Sequence, residues 1–165
     1  MRLIDPILAE LEQESQTTRR VLERVPEGKL TWRPHPKSMS LGQLALHLAT
    51  APGVVATIAF QDRVEAPSFE QPEAKSRAEI LEAFTQGLAT AKDLLTTIDD
   101  ARAMAIWTLA RGGKVLLAVP RLAMIRAILL NHSYHHRGQL SVYLRLLNVP
   151  VPSIYGPSAD ENPFG

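Results

Sequence analysis

Cysteine is absent from the 165 residues. Its absence excludes disulfides, thiolate-bound metal and a cysteine nucleophile in one step, and it fits a reducing compartment. An excess of either charge is also missing: 18 basic residues offset 17 acidic ones, for a formal net charge of +1. Such a balance leaves no basic stripe for nucleic acid or an anionic membrane, so neither is expected as a partner. No apolar run approaches the ~18 residues that a bilayer span takes. The opening MRLIDPILAELEQ carries Asp5 and Glu10 where a signal core would have to be apolar. The expectation is a soluble, cytoplasmic protein.

What is present is an ordinary globular composition, 45% hydrophobic and 21% charged. The chain reads as one domain, residues 1–165, long enough to bury a core without cross-links. Its first segment places Ile4, Leu8, Leu11, Ser15, Thr18, Leu22 and Val25 at alternating steps of four and three, one face of a helix. Asp5 and Pro6 suit an N-cap and a first helical position, and the run PEG at 26–28 ends it. Ser40 and Gln43 form a capping box opening a second helix with the stripe Leu41, Leu44, Leu48, Ala51, Val55 and Ile58. Pro52 and Gly53 predict a kink or an early break inside it. Residues 61–75, with Pro67 and Pro72, read as loop.

Ser76 and Glu79 make a second capping box, and Ile80, Phe84, Leu88, Leu95 and Ile98 carry a third helix that Asp99 and Asp100 end. Residues 99–119 are the least defined part of the pattern; ARGGKVLLAV reads either as a turn with a short extended piece or as a lid over a site. A fourth helix starts at Pro120 and runs to about Leu147, closed by Asn148 and the prolines at 150 and 152. Four amphipathic helices without convincing strand alternation predict an all-α protein, a four-helix bundle. The long connecting loops, of roughly 14 to 20 residues against the usual ~2–8, suit a functional end or a crossover.

The informative stretch is NHSYHHRGQL, residues 131–140, which holds three of the five histidines. The seam of the fourth helix reads Leu122, Ile125, Leu129, His132, His136, Gln139, Tyr143, Leu146. His132 and His136 therefore replace apolar residues on the inward face. A turn of about 6 Å separates them, so both rings can converge on one metal ion, as in other H-x-x-x-H helices. A hydrogen-bonded or solvated pair is the alternative. His135 lies about 100° away from His136 on the flank. His47, on the flank of the second helix's stripe, is the candidate third ligand, with a satisfied boundary histidine as its alternative. His35 sits in a proline-flanked surface turn.

HHRGQL with His132 upstream, and its continuation SVYLRLLNVPVP, resembles the signature of the DinB family of helical-bundle metalloenzymes. LTWRPHPKSMSLGQLALHLA resembles that family's second-helix region, with a Trp-x-Pro loop before a capped helix carrying one histidine. With the helix order, the resemblance spans essentially the whole chain. It implies a four-helix bundle of up-down-down-up topology, commonly a homodimer. It also implies one divalent metal per chain, held by a second-helix histidine and the fourth-helix pair: His47, His132 and His136 by motif position.

Three neutral histidines leave coordination positions open for water or substrate. Metal there lowers the pKa of bound water toward ~7 or ionises a thiol. Imidazole suits Zn, Ni, Fe or Mn, so identity stays open. Some members of the resembling family are thiol-dependent transferases. The leading reading is therefore a metal-dependent enzyme acting on a small-molecule substrate, an S-transferase using a low-molecular-weight thiol or else a hydrolase. The alternative is a non-catalytic, stress-associated metal-binding dimer, favoured by the lack of an inward carboxylate near His132 or His136. No catalytic acid or base is assigned. Ser15, Thr18, Gln43 and Gln139 are candidates to orient water or a ligand, with helix-packing hydrogen bonds as the commoner role. Arg137 and His135 read as support, dimer contact or surface. Gly138 reads as permitting close helix approach. Trp107 and Tyr143 read as core or pocket lining.

Overall fold

The structure is a computed structural model and describes residues 1–66 and 71–165. The part of the expected 61–75 loop at 67–70, Pro67 included, lies outside the described residues. The chain is mostly helical, with a small three-stranded sheet.

Helix α1 spans Asp5–Leu22 and buries Ile7, Leu11, Ser15, Thr18, Val21 and Leu22, close to the expected stripe. Asp5 does not cap it. Its carboxylate turns back to accept from the Arg2 backbone N–H at 2.8 Å. Helix α2, Leu41–Ala59, begins at the predicted capping box: Ser40 accepts from the Gln43 N–H and Gln43 accepts from the Ser40 N–H. It runs unbroken through Pro52. By length and composition α2 would suit a membrane, contrary to the reading of the apolar runs, but 67% of that stretch is buried inside the fold. It is the central core helix.

Helix α3, Arg77–Leu95, is capped by Ser76 and packs along α2. The early break expected at Pro52–Gly53 is instead a close crossing. A Cβ built on Gly53 would lie 2.9 Å from the Gly87 Cα, and one on Gly87 would lie 3.1 Å from the Ala49 carbonyl oxygen. Hydrogen in place of a side chain on both helices lets the backbones meet.

The all-α expectation needs correcting. Strands β1 (Arg63–Glu65), β2 (Ile106–Arg111) and β3 (Lys114–Pro120) form a mixed sheet in the order β1-β2-β3. Val64 lies opposite Leu109 in the parallel pair, and Trp107 opposite Val119 in the antiparallel one. Gly112 and Gly113, with φ of 55° and 81°, supply the two positive-φ positions that a tight hairpin demands. The turn-plus-extended-piece reading of ARGGKVLLAV therefore holds. The strands escaped notice because β3 is an edge strand with apolar residues exposed in succession: Val115 is 49% and Leu116 48% exposed. A strand of that kind shows no two-residue alternation. Asp99 and Asp100 do not end a helix either. Asp99 caps the short helix α4, Asp100–Met104, accepting from the Arg102 N–H at 2.7 Å.

The last helical segment is continuous but not uniform. Helix α5 (Arg121–Met124) leads into a π-helical stretch, Ile125–Asn131, and then into α6, His132–Leu146. Pro120 closes β3 and is at the same time the N-cap of α5, so the segment opens where expected. Arg121, 1% exposed, ties the junction together. Its guanidinium donates to the carbonyls of Ala59 and Arg102, at 2.6 and 2.8 Å, satisfying carbonyls at two helix ends.

Two apolar clusters fill the interior. One gathers Ile4, Leu11, Val55, Leu95, Trp107, Ile125 and Leu129. The other gathers Val21, Leu22, Leu44, Ile80, Phe84, Leu140 and Leu144. Along α1 and along the last helical segment, a short polar stretch separates the two clusters. That stretch holds Ser15 and Thr18 on α1 and His132 and His136 on α6.

Candidate metal centre

His132 opens α6 directly after the π-helical stretch, and His136 follows one turn later. His47 projects toward them from the middle of α2. The three side chains offer nitrogens that all lie within 4.8 Å of one another. His132 Nε2 stands 2.9 Å from His136 Nε2 and 3.4 Å from His47 Nε2. The rings are close to mutually perpendicular, with interplanar angles of 86–89°, so they meet through their nitrogens and do not stack.

The protons explain why this arrangement wants a cation. Gln139 Oε1 lies 2.8 Å from His136 Nδ1; an amide oxygen accepts, so Nδ1 carries the proton and Nε2 presents a lone pair. His132 Nδ1 is buried with no hydrogen-bond partner. If that atom carries the proton, the donor is orphaned, and the Nε2 lone pairs of His132 and His136 face each other. If Nε2 carries it, a buried acceptor is orphaned instead and Nε2 can donate to only one neighbour. Either state leaves a buried polar atom unsatisfied at about 1–3 kcal/mol. A bound proton is disfavoured as well. Burial lowers the pKa of all three imidazoles below the usual histidine value, most for His132, which burial and its histidine neighbours bring to about 4.

A metal ion fits these residues. Metal–nitrogen bonds of about 2.0–2.1 Å at tetrahedral angles set ligand nitrogens about 3.3 Å apart, and the two separations above bracket that value. Three imidazoles whose Nε2 atoms approach one another are a donor set for a borderline transition metal. No fourth histidine or carboxylate joins the group among the described residues. His47 and His132 also face a cavity of about 410 Å³ between α2, the sheet and Ile128.

The other expected participants fall away from the centre. His135 is exposed, as its flank position implied, and His35 is an exposed loop residue. Gln43 is committed to its cap and to the Gln71 carbonyl, 2.8 Å away. Ser15 donates to the Glu12 carbonyl. Trp107 is an exception: it is buried in the core, with its indole N–H donating to the Ile58 carbonyl, and it also lines that cavity. Tyr143 donates to the Met39 carbonyl. Gly138 is exposed with open space around it, so the expected close helix approach is not its role. Gln139 is exposed too, not inward, and reaches the centre through His136 alone.

Arg137 is neither a surface residue nor a support of the centre, but a buried ion-pair partner. It is 1% exposed and pairs with Glu14 of α1 at 2.6 Å. Its guanidinium also donates to the Thr18 hydroxyl and lies over the rings of Tyr134 and Tyr155. A second seam of alternating three and four steps, Leu130, Ser133, Arg137, Leu140, Leu144, would have found it.

A mostly helical domain carrying three inward histidines from two helices defines a candidate mononuclear metal protein. The chain belongs to the DinB superfamily, whose family model matches residues 10–140. It is 28% identical over 164 residues to the Bacillus subtilis (strain 168) protein YrdA, covering 96% of this chain and 91% of that protein. Among solved structures it resembles a DinB-like protein from Bacillus cereus ATCC 10987, with a TM-score of 0.71 and 23% identity over 90% of this chain and 95% of the other. It also resembles the DinB-like protein YjoA of Bacillus subtilis, with a TM-score of 0.66 and 15% identity over 87% and 93%. At those identities the structures speak for the fold.

Proposed function

We propose that the protein is a metal-dependent enzyme in which His47, His132 and His136 hold one divalent transition metal (Zn, Ni, Fe or Mn) and a small molecule binds beside it. The observation that carries this reading is the convergence of three imidazoles, one of them with a buried nitrogen that has no partner, with no fourth protein donor among the described residues. Three protein ligands and an open position are the catalytic pattern, whereas structural sites are closed. A metal bound there supplies Lewis acidity toward water or a thiol. The chain's own contribution is to hold three nitrogens in place and to fix the His136 tautomer through Gln139.

The reaction we favour is S-transfer with a low-molecular-weight thiol, and after it hydrolysis. We further read the long helical segments as a four-helix bundle of up-down-down-up order, and the molecule as a cytoplasmic homodimer. A non-catalytic metal-binding dimer is the second reading, and one feature favours it: no carboxylate stands among the described residues lining the cavity beside the histidines. Elemental analysis of tag-free protein tests the ligand set. One metal per chain is expected in the wild type and none in His47→Ala or His132→Ala; metal retained by both variants refutes the assignment. Turnover of electrophiles by metal-loaded protein with a panel of thiols then separates enzyme from scaffold.

A further inference from the structure

The cavity beside the histidines has a chemical character that goes beyond the metal it adjoins. Of the fourteen described residues that line it, ten are apolar, and none is Asp, Glu, Lys or Arg. The four polar ones offer little to a charged ligand. Thr50 donates to the Leu46 carbonyl of its own helix, and Gln71 brings only a neutral amide. His47 and His132 turn their Nε2 atoms toward each other and toward His136. The far wall is the sheet, where Val64 of β1 and Leu109 of β2 stand side by side. Trp107, its indole N–H satisfied by Ile58, presents hydrocarbon. The sheet thus turns a gap beside α2 into an apolar chamber of about 410 Å³, within the usual range for a small-molecule site.

We propose that this chamber seats an uncharged, largely apolar substrate, with its reactive end at the His47–His132 side. Within the body of the chamber, away from the metal, a carboxylate or phosphate would lose its hydration and find no cation among the described lining residues, and such a loss outweighs what apolar contact returns. In the S-transfer reading on which the catalytic role rests, the chamber holds the apolar electrophile, and the ionic body of a low-molecular-weight thiol lies outside it.

Binding can be measured without metal or turnover. The neutral dye phenylnaphthylamine and its sulfonated counterpart, anilinonaphthalene sulfonate, share one aromatic frame and differ in charge. Metal-stripped protein should bind the neutral dye saturably, one per chain, and about tenfold or more tighter than the sulfonate, and zinc-loaded protein should bind the neutral dye as well. Octanol should displace it about tenfold better than octanoate from the metal-stripped protein. Leu109→Trp, which fills the chamber, should abolish binding. Val54→Glu places a charge on a side chain already 57% exposed, so it folds, and it should weaken binding several-fold. Leu116→Glu alters the exposed apolar edge of β3 and should change nothing. Equal or tighter binding of the charged partners overturns the proposal, as does loss of the dye in Leu116→Glu with Leu109→Trp and Val54→Glu unaffected. A protein that carries no metal yet binds the neutral dye keeps the chamber and loses the metal reading; one that carries metal and binds no dye does the reverse.

Discussion

His136 and Arg137 are neighbours on α6, both buried, and each belongs to a polar cluster inside an apolar interior. The two clusters are built to opposite ends. Around Arg137 every charge is answered: Glu14 pairs with the guanidinium, Thr18 and the Glu14 carbonyl accept from it, and Tyr155 donates to Glu14 at 2.9 Å. Around His136 the groups are of one kind, all bases, and one of their nitrogens has no partner at all. A closed network needs nothing further and serves as a joint between α1 and α6. An open one is a cost in free energy until something positive arrives. Burial alone does not mark a functional site; buried polar atoms left unanswered do.

Breaking the closed cluster should have the largest effect. Arg137→Met leaves Glu14 without its partner and should destabilise the fold by about 3–5 kcal/mol in urea unfolding. Metal content per folded chain should stay at the wild-type level. A loss of metal as complete as that in His132→Ala would show that the two clusters are one unit. The open cluster should behave the other way. His132→Leu removes the orphaned nitrogen and should cost the metal-free protein little. Zinc at about one hundred times its dissociation constant should stabilise the wild type by about 2.7 kcal/mol and the variant not at all. Equal stabilisation of both by zinc would place the metal elsewhere.

Much of this contrast was legible in the sequence, and what was missed has a physical cause. The seam of steps three and four placed His132 and His136 inward because Ile125 and Leu129 before them are buried. Continued onward, it predicts Gln139, Tyr143 and Leu146. The structure buries Leu140 and Leu144 instead and leaves Leu146 56% exposed. The π-helical stretch Ile125–Asn131 accounts for the slip. It adds residues per turn, so Leu129 and Leu130 both face inward and a second seam, the one through Arg137, takes over. No local propensity announces a π-turn. The sheet was hidden for a different reason, since β1 has three residues and β3 lacks alternation. His47 was found because a histidine beside an apolar stripe is rare enough to stand out.

Gln139 links the sequence reading to the chemistry and gives the next smaller effect. It is not an inward residue, yet its Oε1 sets the proton on His136 Nδ1. Gln139→Ala should reduce zinc affinity about 10–100-fold by freeing the tautomer and the ring. Because the side chain is exposed, stability of the metal-free protein should hardly change. Competition against a zinc chelator measures the first quantity and urea unfolding the second. If affinity is unchanged, the hydrogen bond is incidental to the centre.

The smallest effect is in pH, and its sign follows from the bases being unanswered. In the metal-free protein the folded-state pKa values of His47, His132 and His136 are all lowered, first by burial, with neighbouring imidazole charge adding to the effect; for His136 the bond to Gln139 opposes it. The charged groups facing them are one another and His135. Unfolded histidines bind protons near pH 6.5, so below that value the unfolded chain holds more protons than the folded one. Stability then rises with pH. The contribution is fully present above about pH 6.5 and is lost as pH falls toward the His132 value of about 4. Glu10, whose pKa the Arg126 and Tyr134 hydrogen bonds lower, acts with the same sign but only below the usual carboxylate range, so the two groups separate in a titration. Between pH 7 and 5 the urea midpoint of the metal-free wild type should fall, and that of His132→Leu should fall less. Arg137 bonds to Glu14, Thr18 and Tyr155 and to none of the three histidines. Arg137→Met should therefore show the wild-type slope from a lower starting point, and a flattened slope in that variant would mean that the histidines take their shifted behaviour from the closed cluster and not from their own burial.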